Sequence, residues 1–136
     1  MSSLLEMIAR FALAVALGAG IGFQRERAGK AAGLRTHILV SSGAALFTLV
    51  SIYGFSGAAT VDISRVAAGV VVGIGFIGAG VILRGQREKE VAGLTTAATI
   101  WITAAVGLAA GAGMYLLSVI ATAVTVGVLF LPKVRG

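Results

Sequence analysis

The sequence predicts an all-α membrane protein of five transmembrane helices, arranged as two tandem hairpins of the same orientation plus a fifth helix. Three observations lead there. Hydrophobic residues make up 58% of the 136 positions and charged residues only 12%, and with a mean hydropathy of +1.03 this lies outside the range of water-soluble domains. The apolar residues fall in continuous runs of about spanning length, since a hydrocarbon core about 30 Å thick is crossed at 1.5 Å per residue. Those runs are rich in Gly and Ala and do not alternate, which excludes the half-length, two-faced strands of a membrane barrel. One transmembrane domain therefore fills residues 1–136, with no soluble unit to carry enzyme chemistry.

The first run, Leu4 to Phe23, carries one acid and one base, Glu6 and Arg10. Four residues apart on a helix they can pair, which lowers the cost of placing charge near lipid. Ala14, Gly18 and Gly22 recur every four residues on its face, a pattern that lets helix backbones approach where lipid supplies no hydrophobic drive. Arg25 and Arg27 follow at once, so a cleaved signal peptide fits poorly. The loop from Gln24 to Arg35 holds Glu26 among Arg25, Arg27, Lys30 and Arg35. It reads as a basic inner loop, and equally as a surface for anionic headgroups or acidic partners.

The second run is Thr36 to Phe55, with His37 and Ser41 one turn apart at its start. A histidine can sense pH or hold metal, but this is the only one in the chain, and an interfacial hydrogen bond is the simpler role. Asp62, Ser64 and Arg65 precede the third run, Val66 to Leu83. Asp62 or Ser64 would cap the helix; Asp62 is also the one candidate for a Mg²⁺ ligand, because that ion needs only one or two carboxylates. No other cofactor is expected. Gly73 to Gly78 matches the spacing of a dinucleotide loop, yet sits inside an apolar span with no preceding strand, so cofactor binding is rejected. Gly69 and Gly73 read as a packing face, and the glycine density up to Gly80 also suits a broken helix facing a cavity.

The loop from Arg84 to Gly93 leads to the fourth run, Leu94 to Gly111. It carries a stripe of Thr95 or Thr96, Thr99 and Thr103, and a further small-residue pair, Gly107 and Gly111. A Gly-Ala-Gly turn at Gly111 to Gly113 opens the fifth run, Met114 to Leu131, with Ser118, Thr122 and Thr125 on one face. These hydroxyls are expected to bond within or between helices. Pro132 marks the end of the helix.

Nine of the Lys and Arg residues lie in the first loop, the third loop and the tail, against Arg10 and Arg65 on the other side. The positive-inside rule then predicts an outer amino terminus and a cytoplasmic carboxyl terminus. Tyr53 and Tyr115 fall at outer helix ends, where amphipathic rings prefer to sit. The net charge of +6 is scattered singly without aromatic interleaving, so nucleic acid is not expected as a partner. There is no cysteine, which excludes disulfides and thiol chemistry, and with one histidine and five acids no constellation for an enzyme is visible.

A shift of sixty residues lays Gly18-Ala19-Gly20 on Gly78-Ala79-Gly80, Arg27 on Arg87, Ala32-Gly33-Leu34 on Ala92-Gly93-Leu94 and Thr36 on Thr96, eight matches in nineteen positions. Both copies read as a glycine-rich span end, a basic loop and the start of the next span, so the two hairpins form an internal repeat of one orientation.

The segment Gly22 to His37, GFQRERAGKAAGLRTH, is similar to the first signature of the MgtC/SapB family. Asp62 to Arg65, Gly73 to Gly80 and Gly93 to Trp101 resemble its later blocks in order. Gln24 stands where Glu is common, Ile63 where Pro is common and Gly69 where Gln is common. The chain ends at Gly136, so it resembles a short form lacking the soluble domain of virulence-associated members. The resemblance implies a bacterial inner-membrane protein tied to growth at low Mg²⁺ and to survival in host cells. It further implies action on other membrane proteins, the ATP synthase among them. By position, its functional polar residues would be Arg25, Glu26, Arg35, Thr36, Asp62, Arg65, Thr95, Thr96 and Trp101. Two expectations follow: a regulator or adaptor working through helix contacts as a homodimer, or a transporter or channel for Mg²⁺ or another small solute at the hairpin interface.

Overall fold

The structure, a computed structural model, describes residues 2–55, 62–85 and 93–132. Arg87, Lys89, Ala92, Lys133 and Arg135, on which parts of the topology and the repeat rest, lie outside the described residues. Within them five helices follow one another: α1 (Ser2–Arg27), α2 (Leu34–Tyr53), α3 (Ser64–Gly85), α4 (Leu94–Gly111) and α5 (Tyr115–Leu129). The first four are long and apolar enough to cross a membrane, and α5 is a shorter apolar helix.

The ends of these helices differ from the apolar runs for local reasons. α1 continues past Phe23 to Arg27, because cations are favoured in the last turn beside unpaired carbonyls. Gly29, at φ +71°, then stops it. Lys30 N–H donates to Arg25 O and Gly29 N–H to Glu26 O, each at 3.1 Å, which is the paired closure of a glycine-terminated helix. α4 ends the same way: Gly113 has φ +88°, Met114 N–H donates to Ala109 O (2.9 Å) and Gly113 N–H to Ala110 O (3.1 Å). α3 runs unbroken through Gly73 to Gly80, so the broken-helix alternative does not describe this chain. The i to i−4 ladder satisfies every one of those glycine amides internally, as lipid requires.

α4 is the centre of the bundle and touches all four other helices, whereas α2 and α3 meet least of the helices that touch. Close approach is made by glycine. A Cβ at Gly18 would strike Ser41 Oγ, and one at Gly107 would strike Ser41 O, so Ser41 of α2 is squeezed between α1 and α4. Gly22 lies against Leu34 and Gly111 against Ala45, with backbone atoms 2.8 Å from the would-be Cβ in each case. Gly69 and Gly73 differ from these four: a Cβ there would meet nothing within 4 Å. They line an open groove of about 620 Å³ between α2 and α3 together with Leu39, Gly43, Phe47 and Ile77.

The core is small and unusually polar. Ile21, Ile100 and Val106 are fully buried, and so are His37, Ser41, Thr103 and Ser118. Their hydroxyls turn back onto helix carbonyls: Thr99 Oγ1 donates to Thr96 O (2.7 Å), Thr103 to Thr99 O (2.6 Å), Ser118 to Tyr115 O (2.8 Å) and Thr122 to Ser118 O (2.9 Å). Ser41 reaches across instead, donating to Ala14 O of α1 at 2.7 Å.

Candidate functional site

The nine polar residues expected from the sequence do not form one cluster. Asp62 and Arg65 lie at the start of α3, at the opposite end of the bundle from the α1–α2 turn that holds Arg25 to Thr36. A helix of about twenty residues, roughly 30 Å, separates the two ends. Of the rest, Arg35 and Thr95 are exposed, Thr36 is half-buried, and Trp101 projects outward from α4 with 57% of its surface free. A helix presents successive residues about 100° apart, so Thr95 points away when Thr96 points in.

What the fold does bring together is Arg25, Thr96, His37 and Thr99, at the junction of α1, α2 and α4. Arg25 is buried, 3% exposed, and its Nη2 donates to Thr96 Oγ1 at 3.0 Å. Its Nε is enclosed without a partner among the described residues. His37 Nδ1–H donates to Gly33 O (2.8 Å), and Nε2 lies 3.3 Å from Thr99 Oγ1. With a carbonyl fixing the Nδ1 proton, the neutral ring presents Nε2 as an acceptor, and the single Thr99 hydroxyl proton serves either Nε2 or Thr96 O. His37 and Thr99 were outside the motif-derived set, although each stands within one helical turn of a member of it. Glu26 has a separate role, since its Oε1 accepts the Leu34 N–H at 3.0 Å and so satisfies a free donor at the start of α2.

At the other end Asp62 is a cap. Ser64 Oγ (2.7 Å) and Ser64 N–H (3.1 Å) both donate to its Oδ1, and these two bonds hold its carboxyl below the usual carboxylate range. Among the described residues no three His, Asp or Glu side chains converge as a metal site. Ser51 Oγ donates to Ile63 O at 2.7 Å and ties the end of α2 to the start of α3. Nearby, Glu6 and Arg10 pair as their spacing suggests (3.0 Å), and the pair gains partners that spacing does not reveal. Tyr115 OH donates to Glu6 Oε2 (2.6 Å), Arg10 Nη1 donates to Gly111 O (3.1 Å), and the guanidinium sits 5.7 Å from the Tyr53 ring centre. Arg10 thus fastens α1 to α2 and to the α4–α5 turn.

The putative magnesium transporter YhiD of Escherichia coli (strain K12) is 49% identical over 129 residues, covering 91% of this chain and 59% of that protein. Protein SrpB of Synechococcus elongatus is 48% identical over 122 residues (83% of this chain, 67% of that protein). Protein MgtC of Brucella abortus (strain 2308) is 46% identical over 114 residues (82% and 45%). The chain thus spans about three fifths of the length of YhiD and under half of the Brucella protein. No solved structure matches. The sequence model described as MgtC family matches residues 11–135, from within α1 into the tail. By that match and by relatives close to half identical, the chain belongs to the MgtC family.

Proposed function

We propose that this protein is a non-enzymatic membrane regulator in Mg²⁺-linked physiology that works through helix contacts, the first of them with a second copy of itself. Membership of the MgtC family and four spanning-length apolar helices make it a Mg²⁺-related bacterial membrane protein. The observation that carries the regulatory reading is the α2–α3 groove. Its roughly 620 Å³ is lined wholly by apolar side chains and glycines, which suits a helix and not a hydrated cation. α3 is held mainly by α4, and its Gly69 and Gly73 leave backbone open to a partner. A second α3 entering the groove by the same face gives a closed two-fold dimer. The excess of basic residues on one side supports an inner-membrane protein with an outer amino terminus.

Gly69→Leu with Gly73→Leu tests the dimer. Because nothing lies within 4 Å of either would-be Cβ, the helices should fold as before while self-association in detergent, read by sedimentation, weakens by about tenfold or more. A wild-type monomer, or a double variant that dimerises and rescues growth at limiting Mg²⁺ as well as wild type, would remove this reading.

A second reading, transport at the interface of the hairpins, has its own support. Gly18 faces His37 O in the first hairpin, and sixty residues on Gly78 faces Ala97 O in the second. Gly22 likewise meets Gly33 O at 3.1 Å, and their counterparts Ile82 and Gly93 meet at 3.2 Å. The two hairpins therefore cross at equivalent registers, as an internal repeat would, although the second is looser: the distance from the would-be Cβ to the carbonyl is 2.7 Å at Gly18 and 4.0 Å at Gly78.

A further inference from the structure

A second crevice, about 580 Å³, opens between α1 and α5 at the end of the bundle where the basic α1–α2 turn lies. Its lining changes character along the helix axis. Gly20 and Val126 lie farther into the span, Phe23 and Gln24 come one turn on from Gly20, and Arg27 and Phe130 lie nearest the helix ends. From Gly20 to Arg27 is about 10 Å along the helix axis, so the apolar part lies at acyl-chain depth when Arg27 lies among the headgroups. Gly20 leaves its part of the crevice empty, with nothing within 4 Å of a would-be Cβ. Arg27 is exposed, and its guanidinium is steadied 5.7 Å from the Phe23 ring centre. Gln24 Oε1 is enclosed and accepts no hydrogen bond among the described residues. This differs from the α2–α3 groove, which carries no charge or amide at its mouth.

We propose that this crevice holds one anionic phospholipid with a hydroxylated headgroup, of the phosphatidylglycerol class, drawn from the leaflet beside the basic turn. The phosphate meets Arg27, which as a guanidinium binds phosphate oxygens by two parallel N–H bonds. A turn of the Gln24 amide about its last side-chain bond brings the enclosed Oε1 to the mouth, where a headgroup hydroxyl supplies the donor it lacks. One acyl chain lies over Gly20 between Phe23 and Phe130. A helix of another protein is a poorer occupant, since docking would bury the Arg27 charge in an apolar contact at high cost.

The test is native mass spectrometry of the purified full chain in mild detergent, titrated with phosphatidylglycerol or phosphatidylcholine of equal chain length. Wild type should retain one phosphatidylglycerol and favour it over phosphatidylcholine. Arg27→Gln should lower phosphatidylglycerol occupancy by about fivefold, the weight of one cation near an anionic surface, and Arg27→Lys should restore part of it. Gly20→Leu, which has room in the fold, should displace both lipids while the helical circular dichroism stays unchanged. Equal retention of the two lipids by wild type would overturn the proposal, as would unchanged phosphatidylglycerol binding in Arg27→Gln and Gly20→Leu. Competition by glycerophosphate alone would also overturn it, by showing a headgroup site without a lipid.

Discussion

Replacing Gly107 by Ala should cost about 3 kcal/mol of stability, the upper end for one methyl forced into a filled interior. The new Cβ would meet Ser41 O, with Ser41 C and Cα both at 2.8 Å. All three are backbone atoms of α2, so no side-chain rotation can relieve the clash, and α2 and α4 must part. Parting them also disturbs the bond from Ser41 Oγ to Ala14 O, which links α2 to α1, so the damage spreads through three helices. Denaturant unfolding in a fixed detergent, followed by far-UV circular dichroism, reads the effect. Gly75→Ala, outside the groove lining, is the control: nothing faces its Cβ, and Ala exceeds Gly in helix propensity by about 1 kcal/mol. It should be neutral or stabilising, and equal losses in the two variants would contradict the packing scheme.

Arg25→Met should leave the fold standing and abolish function. A guanidinium that is 3% exposed carries a heavy desolvation cost, offset here by a single 3.0 Å bond from Nη2 to a neutral hydroxyl, with no carboxylate partner among the described residues. Replacing such a buried charge by an apolar side chain of similar length is commonly neutral or stabilising. An ionisable group kept in a membrane protein at that cost marks a functional position. The expected outcome is unfolding free energy within about 1 kcal/mol of wild type or higher, together with complete loss of growth rescue at limiting Mg²⁺. Arg25→Lys should recover little, because a point charge cannot reproduce the planar fork that reaches Thr96. If Arg25→Met unfolds the chain but rescues growth whenever it is folded, Arg25 is a structural residue.

Much of the fold was legible from the sequence because lipid imposes severe rules. Continuous apolar runs must be helices, so the existence of all five elements follows from hydropathy. Helix ends were less legible, since α1 outruns its apolar stretch by four residues to Arg27 for reasons of backbone capping. Small-residue spacing identified Gly18, Gly22, Gly107 and Gly111, which the fold uses internally, and Gly69 and Gly73, which it leaves open. The spacing is the same in both groups; only the three-dimensional neighbours distinguish them. The polar site shows the same limit. Motif order put Asp62 and Arg65 in one set with Arg25, but consecutive helices alternate direction, and odd and even connections fall on opposite ends of the bundle. Thr99 and His37 join Arg25 and Thr96 through contacts 62 and 71 residues apart in the chain, which no local pattern encodes.

Reconstitution decides most directly between regulation through helix contacts and passage of solute. Liposomes containing only this purified protein, loaded with a Mg²⁺-sensitive dye and exposed to a Mg²⁺ gradient, should show no uptake beyond that of protein-free vesicles, while the protein in them remains dimeric. Saturable Mg²⁺ uptake that disappears with Arg25→Met would contradict the regulatory account and favour a carrier at the hairpin interface.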